Sequence, residues 1–141
     1  MTRGAIFGAF DLLHPGHILA LKECKAQCDC LIVALQTDPT LDRPDTKNKP
    51  IETMEERRIR LEGCRYVDEI VTYDTEADGL ELLKRLNVDI RFIGIDWKGK
   101  RFPGDDLFKV VYVSRDHNQG SAPLRKRIKD APLGITEGEG Y

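Results

Sequence analysis

Residues 8–17 read Gly-Ala-Phe-Asp-Leu-Leu-His-Pro-Gly-His. His14-Pro15-Gly16-His17, behind the apolar run Ala5-Ile6-Phe7, places two imidazoles, a proline and a glycine at a strand-to-helix turn. A helix N-terminus exposes unpaired N–H groups and the positive end of a dipole, so this turn is an anion site. His14 and His17 are three apart and share a face of the first helical turn. Protonated or neutral, both can donate hydrogen bonds to phosphoryl oxygens. Gly8 and Gly16 allow close backbone approach to a ligand. The spacing is neither the G-x-G-x-x-G dinucleotide fingerprint nor a Walker A loop.

The elements that must hold this turn can be read from the periodicity. Strands are predicted at Arg3–Phe7, Leu31–Leu35, Val67–Thr72, Asp89–Ile95 and Lys109–Val113. Helices are predicted at Pro15–Gln27, from a Thr53/Glu56 capping box to about Cys64, at Glu76–Asn87 and at Ser121–Lys129. Alternation of this kind predicts an α/β fold, a doubly wound parallel five-stranded sheet in a single domain over residues 1–131, with 132–141 a flexible tail. Ligands bind such sheets beyond the carboxyl ends of the strands. Those ends are Gly8–Asp11, Gln36–Asp38, Gly94–Trp97 and Ser114–Arg115.

Composition narrows the partners. The 141 residues are 40% hydrophobic and 33% charged, with a net charge of −2, which gives no global basic field for nucleic acid. The basic clusters at Arg57, Arg58, Arg60 and Arg65, and at Arg125, Lys126, Arg127 and Lys129, read as solvated helix faces. No long apolar run points to a membrane, and a cytoplasmic location is the expectation. Cys24, Cys28, Cys30 and Cys64 match no zinc spacing and are expected as buried, reduced core thiols.

With these motifs the chain resembles the cytidylyltransferase-like nucleotidyltransferases. The segment G-A-F-D-L-L-H-P-G-H is similar to their signature. R-Y-V-D-E-I-V at 65–71 and I-G-I-D-W-K-G-K at 93–100 resemble segments of the cytidylyl branch, the second being closest to the glycerol-3-phosphate enzymes. The resemblance runs from about residue 3 to 129. It implies transfer of CMP from CTP to a small phosphorylated alcohol, with release of pyrophosphate and Mg²⁺ carried on the nucleotide phosphates. It also implies a homodimer, with Arg65 near the interface.

The resemblance further implies roles for individual residues. His14 and His17 would hold the triphosphate, and Gly8, Ala9, Phe10, Asp11 and Gly16 would border the nucleotide. Lys47 and Lys49, in the long polar loop Thr37–Pro50, would neutralise the reacting phosphates as part of a lid, and Lys49 would also reach the acceptor. Arg57 would face the acceptor, and Asp96 the nucleoside. Arg115 and Ser121 would contact the leaving phosphates.

The chain departs from the family pattern in places. The final motif runs Arg115-Asp116-His117-Asn118-Gln119-Gly120-Ser121-Ala122-Pro123, one residue longer than usual and with two hydroxyls replaced. His117 and Asn118 are candidates to compensate. Ile95 stands where the cytidylyl branch has an aspartate, and the region near Gly79 lacks the lysine that holds glycerol 3-phosphate. Two other readings are therefore carried: an adenylyltransferase acting on FMN or a sugar phosphate, and a nucleotide-binding protein that has lost turnover.

Overall fold

The computed structural model describes residues 1–114, 120–132 and 134, and of Ser121 the backbone alone. Nine elements follow in order: β1 (Arg3–Gly8), α1 (Pro15–Lys25), β2 (Cys30–Gln36), α2 (Met54–Glu62), β3 (Glu69–Tyr73), α3 (Glu76–Arg85), β4 (Ile90–Gly94), β5 (Lys109–Val113) and α4 (Ser121–Asp130). The strands form one parallel sheet in the order β3-β2-β1-β4-β5. The chain builds outward from β1 to β3, then crosses back to place β4 on the other side of β1. The point where the winding reverses therefore lies between β1 and β4, at the end of which Gly8 and Gly94 stand. The expected doubly wound architecture is present.

Strand alternation sorts the core into two layers. Ile6, Leu31, Val33, Leu35, Ile90 and Phe92 pack with Leu21 and Cys24 of α1 and Leu61 of α2. Ala5, Cys30 and Ile32 face the other way, against Leu83 of α3, with Phe7 and Val71 beside them. All seven residues of β2 are buried, as a strand covered on both faces requires. The even-numbered side chains of β4 belong to the α1 face, so Arg91 points to the α3 face.

Several boundaries differ from expectation, each for a local reason. Strand β3 begins at Glu69 rather than Val67. Asp68 is drawn aside, where its carboxylate accepts from Leu31 N at 2.7 Å and Lys25 Nζ at 2.6 Å. Helix α3 stops at Arg85 because Asn87 adopts a left-handed φ of 53°. Ile95 leaves β4 for a short 3₁₀ turn, Ile95–Trp97. Cys24, Cys30 and Cys64 are buried, whereas Cys28 is half-exposed and hydrogen-bonds the Cys24 carbonyl at 3.4 Å. No helix among the described residues is long and apolar enough to cross a membrane. The tail expected at 132–141 lies almost wholly outside the described residues, as does the stretch 115–119.

Candidate active site

Between β1 and α1 the backbone makes a turn that its side chains would not choose. Phe10 and Leu12 both take left-handed conformations, at φ 49° and 61°. Non-glycine residues held there store strain, and such strain collects at functional sites. The surroundings over-determine the turn. The Asp11 carboxylate accepts from Ile51 N (2.8 Å), Glu52 N (3.0 Å) and the Arg125 guanidinium (2.9 Å). Leu12 N donates to Glu52 Oε1 at 2.8 Å, and Arg57 donates to the Ala9 carbonyl at 3.0 Å. Phe10 folds back so that its ring lies 3.2 Å from where a Cβ on Gly8 would stand. Gly8 is thus required by packing as well as by backbone approach.

The two histidines cap α1 with each other. His14, at the N-cap, accepts at Nδ1 from His17 N (3.4 Å), and His17 Nδ1 accepts from His14 N (3.3 Å). Their rings stack with centroids 3.7 Å apart, and Phe10 lies against His17 at 5.2 Å. With both Nδ1 atoms accepting, the proton of each neutral ring rests on Nε2. The pair is therefore set, at the positive end of α1, to present N–H donors rather than acceptors.

Both rings line a cavity of about 580 Å³ that spans the carboxyl ends of the strands. Its floor is Gly8, Ala9, Phe10, Asp11, Gly16 and Ser114, with Gly120 and Arg125 closing one side. Lys47 lines it from the Thr37–Pro50 loop, and Lys49 does not. That loop is pinned at Arg43, whose Nε meets Glu76 at 2.5 Å and whose guanidinium lies 5.4 Å over the Trp97 ring. Asp96 sits exposed on the turn after β4, outside the lining set. Arg115, His117 and Asn118 lie outside the described residues; Ser121 opens α4.

Arg57 differs from its expected place at the acceptor. It is 2% exposed, and its donors are spent on four carbonyls: Glu52, Ala9, Gln36 and Thr37, at 2.6–3.2 Å. Burial is the main influence on its pKa and lowers it. Arg57 fastens the ends of β1 and β2 to the start of α2, which fixes the cavity wall without touching its contents. Asp11, likewise, lines the cavity but has its carboxylate committed to holding the turn.

Among the described residues no group of three or more metal-ligating side chains comes together.

A sequence model of the cytidylyltransferase-like family matches residues 5–115. The chain belongs to that family. The relatives of this family that it resembles vary in size. The glycerol-3-phosphate cytidylyltransferase of Bacillus subtilis is 32% identical over 128 residues, covering 91% of this chain and 98% of that protein. The bifunctional protein HldE of Wolinella succinogenes is 39% identical over 104 residues, covering 74% of this chain. The chain spans only 22% of that protein and 26% of the HldE of Campylobacter curvus. Among solved structures, a lipopolysaccharide core biosynthesis protein from Thermoplasma volcanium superposes with a TM-score of 0.67 at 29% identity, covering 82% of this chain and 98% of that one. A Vibrio parahaemolyticus structure assigned as a nicotinate-nucleotide adenylyltransferase shares the fold, with a TM-score of 0.56 at 18% identity.

The structure of this family member adds residues that sequence reasoning missed. Glu52 holds Leu12 N and also pairs with Arg60 at 2.6 Å. Arg125 reads in the sequence as part of a solvated basic face, yet it reaches the cavity, binds Asp11 and has a buried Nε without a partner among the described residues. Arg91 lines the cavity from the middle of a strand. A charged residue between Ile90 and Phe92, in a segment that otherwise alternates as core, was the available signal.

Proposed function

We propose that the chain transfers CMP from CTP to the phosphate of a small phosphorylated alcohol. An acceptor phosphate oxygen attacks the α-phosphorus, the bond to the β-phosphate oxygen breaks, and pyrophosphate leaves. The attacking phosphate is already an anion, so no protein nucleophile is needed. Catalysis then consists of positioning and of stabilising charge on the phosphoryl oxygens. His14 and His17 would donate Nε2–H to those oxygens, with the first amides of α1 behind them. Arg125 and Lys47 would add positive charge from either side. Mg²⁺ on the triphosphate would neutralise charge further, and Arg115 and Ser121 remain candidates for the leaving phosphates.

The observation that carries this reading is the mutual capping of His14 and His17 on a strained turn that opens into the cavity. The choice of CTP and of a small acceptor is supported by the near-complete coverage of the glycerol-3-phosphate cytidylyltransferase. Homodimerisation and a cytoplasmic location belong to the same reading. The test is pyrophosphate release with CTP or ATP against a panel of phosphorylated alcohols and sugars. CTP-dependent release with one acceptor class is the expected result. Release with ATP alone would replace the reading by an adenylyltransferase, and nucleotide binding without release by a binding protein.

A further inference from the structure

The cavity does not stop at the histidines. It continues past Gly8, over the end of the sheet, and down onto the α3 face, where its walls are Phe7, Tyr73, Gly79, Leu80 and Phe102. Arg91 lies among them. Its guanidinium carbon is 5.6 Å from the centre of the Phe7 ring and 5.1 Å from that of Phe102. The Arg91 NH1 group donates to the Pro103 carbonyl, and Nε is buried without a partner. Among the described residues Arg91 makes no ion pair; nearby Asp105 is paired with Arg101 at 2.6 Å and acts on Arg91 through space. Arg43, at the mouth of this end, is neutralised by Glu76. The α3 end of the cavity therefore carries a partly desolvated positive charge whose burial outweighs the through-space influence of Asp105.

We propose that Arg91 is a specificity-determining residue that binds a second anionic group on the acceptor. The acceptor would be a small phosphorylated molecule with its phosphate at the Gly8–His17 end and a carboxylate or second phosphate at the α3 end. The argument rests on the function proposed above and extends it to the acceptor's chemistry.

Three features favour this occupant. Desolvation leads the influences on Arg91 and pulls its pKa down, so an oxyanion there regains what burial removes. A guanidinium in contact with two rings and bonded to the Pro103 carbonyl is ordered before the ligand arrives, and its planar donors match a carboxylate or phosphate. The ring surfaces at this end are engaged already: Phe7 meets Tyr73 edge-on, Trp97 meets Phe102 edge-on, and guanidinium groups cover Phe7, Phe102 and Trp97. A nucleobase would find little to stack upon.

The test is calorimetric titration of the full chain, saturated with α,β-methylene CTP and Mg²⁺. Three probes separate the sources of the anion: glycerol 3-phosphate, 3-phosphoglycerate and propane-1,3-diol bisphosphate. Wild type should bind one of the two probes with a second anionic group about tenfold or more tighter than glycerol 3-phosphate, the difference expected of a charge-assisted contact. Arg91→Gln should erase that preference, and Arg91→Lys should restore only part of it, with the affinity for the CTP analogue unchanged in both. Equal binding of all three probes by wild type would overturn the proposal, as would a preference that survives in Arg91→Gln. A loss of CTP-analogue affinity confined to Arg91→Gln would assign the arginine to the nucleotide instead. Failure of wild type to bind the analogue at all would count against the proposed function; the same probes titrated without nucleotide would then judge Arg91 on their own. Far-ultraviolet circular dichroism and melting temperature separate a folding defect from each outcome.

Discussion

His14 and His17 each accept, at Nδ1, the backbone N–H of the other, so neither ring can be removed without disturbing its partner. His17→Ala deletes one N-terminal cap of α1 and one Nε2–H donor. The first loss resembles other cap deletions, at about 1 kcal/mol. The second resembles loss of one donor from a preorganised site, at about 10²- to 10³-fold in kcat. Turnover should therefore fall steeply while the melting temperature moves little, which steady-state pyrophosphate release and thermal unfolding measure together. A near-normal rate would refute the role given to this ring. At this scale the sequence was informative where partners are close along the chain. The histidine pair is local and was legible. Arg57 was not, because its carbonyl partners at Ala9 and Gln36 lie 48 and 21 residues away. A buried arginine and a solvated one look alike in a helical pattern.

Helices α1, α2 and α3 all open with reciprocal caps, in α2 from Thr53 and Glu56 and in α3 from Thr75 and Asp78. Backbone hydrogen bonds from Thr53 and Thr75 are the main reason that Glu56 and Asp78 are held below the ordinary carboxylate range. A carboxyl with a lowered folded-state pKa stabilises the fold above its unfolded value. That contribution is lost as the pH falls through the lower folded value. The urea midpoint should accordingly fall as pH drops from about 5 toward 2, the range bounding carboxylate titration. A Glu56→Gln/Asp78→Asn double variant should show a shallower dependence in the same titration. An unchanged slope would mean that these caps contribute nothing to acid sensitivity. The Thr53/Glu56 pair was legible because a capping box is a pattern of four residues. The start of β3 was not, since it depends on Asp68 reaching across to Leu31 on a neighbouring strand.

At the scale of the whole molecule, the cavity straddles the sheet, with the histidines over the α1 face and Arg91 on the α3 face. The Thr37–Pro50 loop borders both ends, contributing Lys47 and anchoring through Arg43 to Glu76. If it closes on the triphosphate, trypsin should cut after Lys47 more slowly when CTP is bound, in proportion to occupancy; Lys49 is shielded in either state by Pro50 behind it. Equal cleavage rates with and without CTP, followed by mass spectrometry, would show that the loop does not close. The parallel, doubly wound sheet was legible throughout because strand and helix periods alternate cleanly. The extent of the cavity was not, because it depends on which residues the crossover from α3 to β4 brings opposite β1.

The Asp11 carboxylate joins three stretches of chain: its own turn, residues 51 and 52, and Arg125 near the end of the described structure. This imposes an order in time. As the polypeptide leaves the ribosome, the sheet can be complete once residue 113 has emerged. The strained turn gains its last tether only when α4 follows. The molecule would thus have its scaffold before the turn between β1 and α1 is fully tethered, so the sheet can form without α4 while the turn cannot be completed without it.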